Sequence, residues 1–260
     1  MHHLRKYRPY RAALTALFIG VVAHSPALSQ SFSNNDFLTF GTGEWGETPV
    51  STNTGALLVN NYNSVFASSN DLVEIGIHGT AGTSIIFDSG DALNTFLSER
   101  TFSGQPGPLQ VDLLDPATSF TGGLANETAA LLLNIDFNNA GLIKGNINEP
   151  FGDLVLTGLT GTEAFANGMN LNSLLNESNI ALGGGPLPGT LTYSDLVELD
   201  ANANMSFDAG FASTFAKQNL ELPPSTIAAP EMDASSALSG FTLLLGVLVV
   251  LRGRASVRHG

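Results

Sequence analysis

Leu124-Ala-Asn-Glu-Thr-Ala-Ala-Leu-Leu-Leu-Asn-Ile135 decides the reading of the fold. Leu124, Thr128, Leu131, Leu132 and Ile135 recur at helical spacing, which predicts one apolar face turned toward a core. Asn126, Glu127 and Asn134 fall toward the opposite face, where water is expected. Gly122-Gly123 punctuate the loop before the run, and Asn138-Asn139 with Gly141 end it.

Upstream, the signals are mostly those of strands. Ala56 to Val59, Leu72 to Ile77 and Ser84 to Phe87 are short apolar runs. His78-Gly-Thr-Ala-Gly-Thr83 joins the last two as a hairpin connection. Residues 30–55 read as a polar loop or edge segment with one aromatic anchor, Trp45. Ser89 or Asp91 can cap a short helix through Leu93, Phe96 and Leu97. Downstream, Phe151 to Leu156 reads as a short strand and Met169 to Leu182 as a helix stopped by Gly183-Gly-Gly185. Thr192 and Asp195 have the spacing of a capping box, which starts a helix carrying Leu196, Val197 and Leu199 inward. A last short helix is expected over 212–220. The expected fold is therefore α+β: a single mixed domain over 30–222, with short N-terminal strands followed by a mainly helical half.

The two ends carry targeting signals. Arg5, Lys6, Arg8 and Arg11 form a basic region ahead of the apolar run 12–23. Ala27 and Ser29 then offer small residues for a signal peptidase, giving a signal peptide over 1–29. At the other end a linker and motif occupy 223–233. Residues 234–251 follow, eighteen without a charge, and then a basic tail over 252–260. As a helix the uncharged run reaches about 27 Å, enough to cross a thin hydrocarbon core. Arg252 and Arg254 behind it mark the cytoplasmic side.

Between these ends, over 30–229, three cations (Arg100, Lys144, Lys217) stand against 21 carboxylates, a formal charge of −18. Such a surface repels nucleic-acid phosphates, so nucleic acid is not an expected partner. The chain has no cysteine, so an exported domain must be held by its core, by metal or by assembly. With 22 asparagines, the composition suits turns and solvent-facing loops.

The residues offer no convincing catalytic constellation. His78 is the only histidine between the leader and the tail, and it reads as a turn residue rather than a base. Asp112 with Asp115, and Asp195 with Glu198, are the closest carboxylate spacings. An Asp-Pro turn and a solvated helix face account for them. Asp200-Ala-Asn202-Ala-Asn204 alternates oxygen ligands as calcium loops do, but Met205 and Phe211 replace the required Gly and Glu. No catalytic residue, cofactor or metal is expected.

The tail resembles the PEP-CTERM class of bacterial sorting signals, in the variant that reads Val-Pro-Glu-Ile-Asp. Here the motif is Pro230-Glu231-Met232-Asp233 after Ala229, followed by the apolar run, Arg252 and Arg254. The resemblance implies export, tethering in the inner membrane, and processing by an exosortase-like partner in bacteria that make exopolysaccharide. Asp112-Leu-Leu-Asp115-Pro116, Ala130 to Phe137, Phe151 to Leu156 and Ala181 to Gly185 also look like segments of uncharacterised exported proteins with the same tail, which implies a shared fold and no known activity. The expectation is a non-catalytic protein of the cell surface or extracellular matrix, with extracellular polysaccharide as a partner. A permanently anchored single-pass protein with a periplasmic domain and a carboxylate-dependent glycan hydrolase are the alternatives.

Overall fold

The computed structural model describes residues 31–99 and 104–224. The signal peptide, Ala27, Ser29, the motif from Pro230 to Asp233, the span 234–251, Arg252 and Arg254 all lie outside them. Among the described residues no helix is long and apolar enough to cross a membrane.

Helix α4 (Leu124–Asn139) is the axis of the fold. It packs against α6 (Tyr193–Asn204), α5 (Leu171–Leu182), α1 (Thr42–Trp45) and α3 (Gly90–Leu97). A three-stranded sheet flanks this helical group. In it β1 (Val73–Gly76) runs antiparallel to β2 (Ser84–Phe87), with Ile75 opposite Ile85, and β3 (Leu113–Leu114) lies parallel to β2. A second, two-stranded sheet pairs β4 (Val155–Leu156) with β5 (Leu220–Glu221) just after α7 (Thr214–Asn219). The mixed α+β class, the β1–β2 hairpin, and the helices after Ser89, around 124–139, before Gly183 and after Thr192 all stand as the sequence predicts.

Four expectations need correction. Ala56 to Val59 is part of a helix, α2 (Thr54–Val65), so strands do not lead the fold. Asn53 caps it, its Oδ1 accepting from Ala56 N–H at 3.0 Å, and Leu58 and Tyr62 are buried one turn apart. The helical spacing runs through Tyr62, beyond the four apolar residues that suggested a strand. The segment 30–55 is not only a loop, because it contains α1. Phe151–Asp153 forms a 3-10 turn, which leaves only Val155–Leu156 as strand. Most consequential is α4, which has no solvent face at 126, 127 and 134: Asn126, Glu127 and Asn134 are buried, while Leu132 is only half-buried.

The opening segment 31–40 threads through the core. Phe32 and Phe37 are buried against Phe207, with ring centroids 5.3 and 5.1 Å from it. Backbone bonds join Asn35 N–H to Gly210 O and Thr39 N–H to Phe207 O, at 2.6 and 3.1 Å. Gly145 allows the loop after α4 to lie on the same segment, since a Cβ there would sit 2.2 Å from the Asp36 carbonyl oxygen. Trp45 is fully buried, edge-on to Phe40 and Phe137 at 5.5 and 5.0 Å, so it anchors α1 to α4.

The capping box at α6 is present in full. Thr192 Oγ1 accepts from Asp195 N–H at 3.2 Å, and Asp195 Oδ2 accepts from Thr192 N–H at 2.7 Å. Thr192→Ala is expected to cost about 1 kcal/mol, read as a lower urea midpoint with unchanged slope.

Candidate functional site: an acidic cleft above a buried polar seam

The inward polar side chains of α4 meet those of α5 and α6 in a buried seam. Asp200 on α6 is fully buried; its Oδ2 accepts from Thr128 Oγ1 at 2.9 Å and its Oδ1 from Ser178 Oγ at 3.0 Å. One turn on, Asn204 Nδ2 donates to the Glu127 carbonyl and to Glu127 Oε2, both at 3.0 Å. Asn134 Nδ2 donates to Asn204 Oδ1 at 3.0 Å, and Asn134 also exchanges bonds with the backbone of Phe40 at 2.8 and 2.9 Å. Every member has a partner, which is the condition under which a buried polar network is tolerated.

The seam opens into a cleft of about 320 Å³. Gly41-Thr42-Gly43 and Glu44 form one wall, Ala201 and Met205 another, and Glu47, Glu127 and Asp208 complete it. Glu44 is placed by the start of α1, where its Oε2 accepts from Gly41 N–H at 2.7 Å. Asp208 is placed by the turn after α6, which Thr39 fastens through a short bridge. The two carboxyls come within hydrogen-bonding reach. Burial, and next the Asp208 carboxyl, push Glu44 up to about 7 against the pull of the Gly41 N–H. The buried Asp208 Oδ1 has no hydrogen-bond partner among the described residues. Burial also raises Glu127, with the Asn204 amide opposing, and raises Asp200 well above the usual range despite Thr128 and Ser178.

This arrangement holds protons at a pH where carboxyls ordinarily ionise. Among the described residues no group of three or more carboxylate or imidazole side chains could hold a metal ion.

Comparison with protein families, curated proteins and solved structures finds no match. The cleft must therefore be read from its own chemistry.

The candidates named from sequence lie elsewhere or serve the fold. His78 is exposed, with its Nδ1 2.8 Å from Glu74 Oε1. Asp112 Oδ1 accepts from Ser84 N–H and Asp115 Oδ1 from Asp88 N–H, at 2.9 and 3.0 Å, so both fasten the β3 connection to β2. Burial works against an ionised Asp195, but bonds from Thr192 and Thr162 hold it below the usual carboxylate range. The alternating run from Asp200 to Asn204 is helical, so it forms no calcium loop, and its two ends belong to the seam.

Sequence reasoning did not find Glu44, Glu127 or Asp208. A usable signal was present for Glu127. Between Leu124 and Asn139 there is no Lys or Arg, and Glu127 and Asn134 stand seven apart, the spacing of a polar seam between helices. Glu44 and Asp208 are 164 residues apart in sequence, and only the fold brings them together.

Proposed function

We propose that the chain is exported and tethered through residues 234–251. An exosortase-like enzyme then processes it near Pro230-Glu231 to yield an acidic, non-catalytic protein of the cell surface or extracellular matrix. The observation that carries this reading is the order of Pro230-Glu231-Met232-Asp233, eighteen uncharged residues, and then Arg252 and Arg254. An aromatic and aliphatic core without cysteine supports it, since such a domain needs no disulfide to fold outside the cell. So does the excess of carboxylates, which keeps a released domain soluble and lets it associate with exopolysaccharide through shared cations. Mass spectrometry of the exported form is expected to find a C-terminus near residue 230. A form retaining Arg254 would instead establish permanent anchoring.

The Glu44–Asp208 pair favours one second reading, a carboxylate-dependent hydrolase of envelope glycans. No aromatic side chain lines the cleft to stack on a sugar. Saturable turnover of an envelope glycan, abolished by Glu44→Gln, would establish this reading in place of the first.

A further inference from the structure

A second cavity, of about 300 Å³, lies between α4 and β1, separate from the acidic cleft. Phe66, Leu72, Val73 and Leu132 form its apolar walls, and Ser69, Glu74 and Asp136 supply its polar atoms. Asp136 is half-buried on α4, and its carboxylate has no hydrogen-bond or ion-pair partner among the described residues. The buried carboxyls of the seam differ, since Asp200 and Glu127 both accept bonds from neighbouring side chains. Glu74 faces the cavity from β1, with exposed His78 behind it on the solvent side.

We propose that this cavity binds a small organic cation, its ammonium group against Asp136 and its apolar body along Leu72 and Leu132. The lining carries two carboxylates and no cation, so it selects for positive charge. Leu72 and Leu132 offer apolar surface from which a hydrocarbon body displaces water, which a hydrated inorganic ion cannot use. Burial alone raises Asp136 to about 6, and a bound ammonium offsets that desolvation by favouring the ionised form. Binding therefore strengthens as pH rises through this region. Glu74 is the other titratable group lining the site, and His78 reaches it only through its 2.8 Å contact with Glu74 Oε1.

The test is calorimetric titration of the full-length chain with 2-phenylethylammonium and with its neutral isostere, 2-phenylethanol. At pH 7.5 the cation is expected to bind at least about tenfold more tightly than the alcohol. Asp136→Asn is expected to weaken the cation about tenfold and leave the alcohol unchanged. In the unsubstituted protein, lowering the pH to 5 is expected to weaken the cation to a similar degree, which tests the idea whether or not the variant folds. Equal affinity for cation and alcohol, an unchanged cation affinity at pH 5, or no cation binding up to about 10 mM would each overturn the proposal.

Discussion

Replacing Asp200 by Asn is expected to flatten the pH dependence of stability, raising stability at pH 8 relative to the parent chain and leaving it nearly unchanged at pH 4. Asp200 is fully buried between two hydroxyl donors with no cation beside it, so burial holds it neutral in the folded protein. In the unfolded chain it ionises near pH 4. From there up to its folded pKa the native state binds the extra proton, so stability falls by about 1.4 kcal/mol per pH unit for this one group. Glu44, raised to about 7, Asp136, raised to about 6, and Glu127 and Glu163, both raised by burial, act in the same direction. The parent protein is therefore expected to lose stability as pH rises from about 4 toward 8, with Asp195, held below the usual range, acting in the other direction. An amide at 200 keeps an acceptor for one hydroxyl and gives the other a donor, and it does not titrate. Asp200→Ala leaves Thr128 and Ser178 without these bonds and opens a cavity, for a loss of about 3–4 kcal/mol. Urea midpoints of the three proteins at pH 4, 6 and 8 decide the matter. Parallel pH profiles for the parent and Asp200→Asn would show that Asp200 does not carry this dependence.

Trp45→Ala is expected to cost about 3–5 kcal/mol, a large share of the stability of a domain this size. The indole is fully buried between Phe40 and Phe137. Its own carbonyl, with that of Glu47, accepts from Asn94 Nδ2 at 2.7 and 2.9 Å, so α1, α3 and α4 meet at this residue. Losing the ring loosens Gly41 to Glu47, the segment that forms one wall of the acidic cleft. Trp45→Phe keeps an edge-on contact and is expected to cost about half as much. Because the chain has one Trp, fluorescence follows the parent protein, and circular dichroism in urea compares the variants.

Much of the local structure was legible because its causes are local. Ser89, Thr192 and Asp195 announce helix starts, Gly183 to Gly185 announces a stop, and the short apolar runs on either side of His78-Gly-Thr-Ala-Gly-Thr83 announce a hairpin. The reading of α2 failed where helical and strand propensity compete within four residues, and burial of Tyr62 decided for the helix. The reading of the polar side of α4 failed for a different reason. Periodicity marks a polar face without saying whether it meets water or another polar face. Here α5 and α6 supply Ser178, Asp200 and Asn204 as partners, and no pattern within residues 124–135 encodes them. The cleft was illegible on the same ground, since Glu44 and Asp208 acquire meaning only through the docking of 31–40 onto 207–210.

That docking also sets the order in which the chain can fold. The bond from Phe207 N–H to Thr39 Oγ1 spans 168 residues, and Phe32 and Phe37 reach their places against Phe207 only when both stretches are on the same side of any barrier. Contacts so distant in sequence close late and slowly. A polypeptide delivered N-terminus first through a narrow pore would stay threadable until almost all of it had passed, then lock behind itself.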